Sequence, residues 1–185
     1  MTEELQPRIL LVDDEPDILD VLTDQLRGLV IEIDGFKIPL AFETAENGLV
    51  ALERLKVCRF DVVVSDIRMP ALDGLELVTK LQLIETATKV ILISGHADKA
   101  IAIRAIRLGV FDLIEKPWHS EQIRDAVKAA AELGYRRRIS EIEFEKKMAR
   151  YAASMPADRY EQLRNALRNI MLNDSTSQNK KLEED

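Results

Sequence analysis

The sequence predicts an α/β fold, a doubly wound five-stranded parallel sheet with helices on both faces, carrying an extra β-hairpin and a helical C-terminal extension. Three observations carry this. Short apolar runs alternate with segments of helical period from Arg8 to Trp118. Several runs are apolar at consecutive positions, as strands buried on both faces must be. Beyond Trp118 the chain becomes charged and Ala-rich, with no further strand signal.

The first strand is Ile9-Leu10-Leu11-Val12, followed by a helix over 16–27. The stretch from Leu29 to Ile38 is then too long for a simple connection. Asp34-Gly35 lies in it between alternating apolar and polar residues, and the two central positions of a type I′ turn need positive φ, so a local hairpin is expected; an irregular loop is the other reading. The second sheet strand is placed at Pro39 to Thr44, the third at Phe60 to Ser65, the fourth at Lys89 to Ser94 and the fifth at Phe111 to Ile114. Helices over 47–57, 74–84 and 97–108 connect them, with Gly109 as a C-terminal cap.

Past Trp118, Ile123, Ala126, Val127, Ala130 and Leu133 keep a helical period, and Phe144, Met148, Tyr151 and Met155 step by four, three and four. The two series form either one helix or two broken at Gly134. Arg136 to Arg138 are read as a solvated helix face. Ser154-Met155-Pro156 reads as a stop and a new start, followed by a helix with the stripe Tyr160, Leu163, Leu167, Ile170 and Met171. The domain reading is therefore residues 1–133 as the α/β domain, 134–172 as a helical extension for dimerisation or partner docking, and 173–185 as a disordered tail. The two stripes imply a helical hairpin or a subunit interface, the interface being preferred.

Of the 185 residues, 33 are acidic and 26 basic, and the acidity is concentrated in residues 1–118, with 21 acidic against 13 basic side chains. One cysteine, Cys58, excludes a disulfide framework and any CxxC motif. The absence of a long apolar run and of a basic, apolar leader gives the expectation of a soluble cytoplasmic protein without a membrane partner.

In a parallel sheet, ligands collect beyond the C-terminal strand ends. Those ends here read Asp13-Asp14-Glu15, Ser65-Asp66, Ser94-Gly95 and Glu115-Lys116-Pro117. Three carboxylates, a hydroxyl and an ammonium are expected to converge there. The charges of Asp13, Asp14 and Asp66 are nearly balanced by Lys116 and one divalent cation. Oxygen ligands with open positions suit Mg²⁺, which bridges readily to phosphate. Asp66 is then the candidate nucleophile in a phosphoryl transfer assisted by charge and position. Glu15 is read as a first-turn helix carboxylate, and His96 and His119 as surface residues rather than ligands.

These residues resemble the response-regulator receiver domain of two-component signalling. Ile9 to Glu15 is similar to its first strand and acidic pair, Asp66-Ile67-Arg68-Met69-Pro70-Ala71-Leu72-Asp73-Gly74 to its phosphoacceptor loop, Ser94-Gly95 to its Thr/Ser position and Lys116-Pro117 to its Lys-Pro pair. The resemblance covers 8–133 and implies a flavodoxin-like receiver fold with strand order 2-1-3-4-5. It further implies that Asp66 accepts a phosphoryl group from a sensor histidine kinase or a phosphotransfer protein, with no separate enzyme activity. Asp14, Asp66 and the Arg68 carbonyl would bind Mg²⁺, Asp13 would act through water, and Ser94 and Lys116 would take phosphoryl oxygens. A common cis Lys116-Pro117 peptide is implied too, with signalling through the fourth and fifth strands and the helices after them.

Three departures stand out. Leu113 occupies the place of the family's usual aromatic switch, with Phe111, two residues before it, at an ordinary core position. Arg68 and His96 occupy variable positions that govern phosphoryl lifetime. The hairpin lies before strand two, the sheet edge. The expected function is a phosphorylation-dependent regulator acting on a downstream protein partner, as a homodimer and with no catalytic output domain. A DNA-binding transcriptional regulator using the C-terminal helices is the alternative, disfavoured because residues 135–172 have few core residues and no clear helix-turn-helix pattern. A phosphate-ester hydrolase is disfavoured by Asp-Asp-Glu in place of Asp-x-Asp. Residues 120–185 contain no histidine, so the extension cannot pass the group on as a phosphohistidine.

Overall fold

The computed structural model describes residues 6–84, 87–95 and 99–152, together with 159, 161, 162, 165 and 166. Their elements in chain order are β1 (Arg8–Val12), α1 (Pro16–Leu26), β2 (Val30–Ile33), β3 (Phe36–Pro39), β4 (Ala41–Ala45), α2 (Gly48–Val57), β5 (Val62–Asp66), α3 (Gly74–Leu83), β6 (Lys89–Ser94), α4 (Lys99–Arg107), β7 (Asp112–Glu115) and α5 (Ser120–Ala152). The main sheet has the order β4-β1-β5-β6-β7, all pairs parallel. Numbered without the hairpin strands β2 and β3, this is 2-1-3-4-5. The central strands are sealed on both faces: Leu10, Val12, Val63 and Leu92 belong to one core cluster, while Ile9, Leu11, Ile91 and Ile93 are also fully buried.

The hairpin is present and forms a separate two-stranded antiparallel sheet. Asp34 and Gly35 have φ of 51° and 81°, the signs that a type I′ turn requires. Ile31 and Ile38 face each other and are buried, whereas Glu32 and Lys37, the neighbouring pair, are exposed. Pro39 pairs with Val30 and so belongs to the hairpin rather than to the sheet strand. The reason is local: the Leu40 amide turns back to donate to the Leu29 carbonyl at 3.2 Å, and β4 starts one residue later.

Helix α5 runs unbroken through Gly134. A Cβ at Gly134 would lie 2.7 Å from the Asp61 carbonyl oxygen, so the glycine permits a close approach to the chain entering β5 rather than ending the helix. One turn further on, Arg138 faces the same way. Its Nε lies 2.9 Å from Asp61 Oδ1, and its guanidinium donates to the Gln6 carbonyl at 3.1 Å. The expectation of a solvated arginine face is therefore corrected. Arg136 is exposed, 3.8 Å from Asp34, but the Arg138 side chain is only 12% exposed.

Two compact units divide after Arg138. In the second, α5 carries Met148 buried, Phe144 half-buried and Tyr151 exposed. His96, Ser154-Met155-Pro156, the stripe from Tyr160 to Met171 and the tail 173–185 lie outside the described residues, or have side chains that do. Among the described residues no helix is long and apolar enough to cross a membrane.

Candidate functional site

The first unit brings four parallel strands to one edge, and each delivers one polar side chain there. Asp13 follows β1, its amide donating to Ala45 O at 3.2 Å. Asp66 and Ser94 are the last residues of β5 and β6, and Lys116 follows β7 with its amide donating to Ser94 O at 2.8 Å. Ser94 is 1% exposed, and Asp13 and Asp66 are 1% and 6% exposed, an unusual depth for carboxylates.

The two aspartates are built alike. Asp66 places Oδ1 2.7 Å from Lys116 Nζ, and its Oδ2 accepts from the Arg68 amide at 2.6 Å. Asp13 places Oδ2 3.2 Å from the same Nζ, and its Oδ1 accepts from the Glu15 amide at 2.9 Å. One ammonium is thus shared by two buried carboxylates. Burial pushes the Asp13 carboxyl above the usual range, and the charge of Asp66 adds to this against the pull of the Glu15 amide and of Lys116. Burial also works against the Lys116 ammonium, but Asp66 and Asp13 together outweigh it and raise its pKa.

Local structure fixes Asp66 from behind. The capping box of α3, in which Asp73 accepts from Glu76 N at 2.6 Å and Glu76 accepts from Asp73 N at 3.2 Å, sets where that helix begins. A Cβ on the next residue, Gly74, would lie 2.4 Å from the Asp66 carbonyl oxygen. That oxygen also accepts from Ser65 Oγ at 2.8 Å. Neither Gly74 nor Ser65 had been given a role from the sequence; the glycine directly after an N-cap aspartate was the available signal.

Of the three carboxylates expected at the strand ends, Asp13 and Asp66 meet at the Lys116 ammonium. Asp14 is exposed beside Asp13, and among the described residues no group of three or more His, Cys, Asp or Glu is placed to hold a metal ion. Arg68 and His119 have exposed side chains. Leu113 is half-buried against the core cluster, and Phe111, expected in the core, is also half-buried. The Lys116-Pro117 peptide is cis.

Residues 9–128 match the family model of the response regulator receiver domain. The chain is 34% identical over 130 residues to the C4-dicarboxylate transport transcriptional regulatory protein DctD of Pseudomonas aeruginosa, covering 70% of this chain and 26% of that protein. It is 30% identical over 151 residues to the transcriptional regulatory protein FixJ of Bradyrhizobium diazoefficiens, covering 82% of this chain and 69% of FixJ. The chain thus spans about a quarter of DctD's length. Among solved structures, the receiver domain of an HD domain-containing protein from Pseudomonas fluorescens Pf-5 superposes with a TM-score of 0.62 at 28% identity, over 70% of this chain and 98% of that one. Strand order and sequence agree, and the chain belongs to the response-regulator receiver family.

Proposed function

We propose that the chain takes a phosphoryl group on Asp66 from a phosphohistidine of a sensor histidine kinase or phosphotransfer protein, and signals by protein–protein interaction. The observation that carries this reading is the single ammonium of Lys116 shared between Asp66 and Asp13 at the ends of parallel strands. Two buried carboxylates share one ammonium and Asp14 lies exposed next to Asp13 in the chain, so the three carboxylates exceed the one cation by about two negative charges, which a divalent ion would meet. The donors are all oxygen, the ligand type that Mg²⁺ takes. Asp14, Asp66 and the Arg68 carbonyl would hold Mg²⁺, with Asp13 through water. When bound, the ion supplies charge neutralisation at the phosphoryl oxygens.

An Asp66 oxygen forms the new O–P bond as the N–P bond of the donor breaks, and the departing imidazole keeps the electron pair and takes a proton from solvent. Lys116 then exchanges a carboxylate for a phosphoryl oxygen, and Ser94 donates to another. Because the Lys116 amide is bonded to the Ser94 carbonyl, a shift of either is shared by the ends of β6 and β7. The readout surface is β6, α4, β7 and α5 with the C-terminal helices, in a population shift. The proposal includes a cytoplasmic homodimer acting on a downstream protein.

The test is intact-mass analysis after incubation with a small acyl phosphate and Mg²⁺. One phosphoryl group is expected on the native chain and none on Asp66→Asn; an equally modified variant would refute the assignment. Transcriptional regulation through DNA binding is the second reading, favoured by the names of the relatives DctD and FixJ. An electrophoretic shift persisting at physiological salt would establish it.

A further inference from the structure

Two hydrogen bonds from one segment of the chain converge on Gln25, in the last turn of α1. The Trp118 indole Nε1–H donates to Gln25 Oε1 at 2.8 Å. The Arg124 guanidinium, in α5, donates to the Gln25 main-chain carbonyl. The second bond has a ready physical reason: carbonyls in the last turn of a helix lack intrahelical partners and favour a cation, and α1 has no basic residue in that turn. The first has no such general reason. It reaches instead from a residue two positions after Lys116.

Between β7 and α5 main-chain bonds hold the two ends of the segment. The Lys116 amide donates to Ser94 O at 2.8 Å, Pro117 has no N–H, and the Ile123 amide donates to His119 O at 3.3 Å at the start of α5. The main-chain bond to Ser94 fixes the near side of the segment, and the Trp118 indole fixes its far side. Lys116 Nζ must stay within 2.7 Å of Asp66 and 3.2 Å of Asp13, from the end of a long flexible side chain. Its reach is set by where the main chain holds its root.

We infer that Trp118 is a positioning residue: through its bond to Gln25 the indole N–H anchors the segment that carries Lys116, and so keeps the ammonium between the two carboxylates. The inference rests on the phosphoryl-transfer reading. It names a part of that machinery, α1 to Trp118 to Lys116, outside the residues that touch the reacting atoms. A displacement of about 1 Å at a reacting group can slow a reaction by up to about 100-fold, so loosening one anchor has a measurable effect.

The experiment uses the full chain in five forms: native, Trp118→Phe, Gln25→Met, Gln25→Glu and the Trp118→Phe/Gln25→Met double variant. Phenylalanine keeps most of the packing and loses the donor, methionine loses the acceptor, and glutamate keeps it. The rate of phosphorylation by a small acyl phosphate is measured at saturating Mg²⁺, with Mg²⁺ affinity and thermal midpoint measured alongside. Loss of one hydrogen bond is expected to slow Trp118→Phe and Gln25→Met each by about two- to tenfold. The double variant is expected to be no slower than either single one, because both remove the same bond. Gln25→Glu is expected to remain near the native rate, and Mg²⁺ affinity to be unchanged throughout.

Native rates in both single variants, or effects that multiply in the double variant, would overturn the positioning role, as would a loss of thermal stability with no change in rate. Failure of the native chain itself to take up a phosphoryl group would overturn the reading of Asp66 and this inference with it. The two failures are therefore distinguishable.

Discussion

Strand β5 has a buried aspartate at each end, and the two are built from similar parts. Asp61, just before the strand, lies 2.9 Å from Arg138 Nε and accepts from the Arg8 amide at 2.9 Å. Asp66, at its end, lies 2.7 Å from Lys116 Nζ and accepts from the Arg68 amide at 2.6 Å. The difference is stoichiometric. Asp61 has the Arg138 guanidinium to itself, with Arg59 adding to its pull, although burial still holds its carboxyl above the usual range. Asp66 shares its ammonium with Asp13, so negative charge is left over. The balanced end joins the helix α5 to the sheet, whereas the unbalanced end is poised to accept a cation and a phosphoryl group. Matched buried charge serves the fold, and unmatched buried charge marks the site.

The comparison breaks most sharply at the balanced end. Arg138→Leu leaves Asp61 buried without its guanidinium and is expected to destabilise the first unit by about 3 kcal/mol, read from the urea midpoint. A loss below about 1 kcal/mol would mean that Asp61 escapes to water and that the two ends are less alike than they look.

At the unbalanced end the opposite sign is expected. Asp13→Asn removes one of two carboxylates competing for a single ammonium and is expected to stabilise the Mg²⁺-free protein by about 1 kcal/mol at neutral pH. The pH dependence sharpens this. The folded carboxyl of Asp13 titrates above its unfolded value, so the native state holds the proton more tightly. Stability of the native chain therefore falls as pH rises from the unfolded value, about 3.9, through the raised folded one. The advantage of Asp13→Asn is expected to vanish below that window and to reach its full size above it. Denaturant titrations of both proteins across the acid range would test this, and a pH-independent difference would exclude charge as its origin.

The smallest effect concerns a third carboxylate, near the surface on β4. Glu43 is bonded to the Arg8 guanidinium and lies 3.0 Å from Arg54, and these hold its carboxyl below the usual range, the bond to Arg8 foremost. Its contribution is present above the unfolded pKa and is lost as pH falls through the lowered folded value. With side chains about a third or more exposed, Glu43→Gln is expected to cost less than about 1 kcal/mol at neutral pH, measured by the same titration.

Much of this was legible in the sequence because it is written locally. Lys89 to Ser94 announces itself as a strand buried on both faces, and Asp34-Gly35 announces its turn. The polar residues closing the apolar runs pick out Asp13, Asp66, Ser94 and Lys116. What could not be read depends on partners far apart in the chain. Lys116 and Asp13 are 103 positions apart, and the sequence cannot say that one ammonium serves both buried carboxylates. Three consecutive arginines look like a solvated face, and only the approach of Gly134 to Asp61 buries the third. Pro39 reads as the start of the sheet strand but pairs with Val30 in the hairpin, because its neighbour Leu40 makes a bond that propensity does not encode.

The bond from Leu40 to Leu29 also bears on the order in which the chain assembles. Parallel partners must find each other across a long connection, and the entropy of closing a loop grows with the logarithm of its length. Arg8 and Ala41, the first pair of β1 and β4, are separated by such a connection. The hairpin inside it is a local structure of the kind that forms in about 1 to 10 μs. Once Leu40 is tied to Leu29, the residues between them no longer count as free chain. The segment that reads as an insertion thus shortens the search by which the sheet's edge strand finds its neighbour.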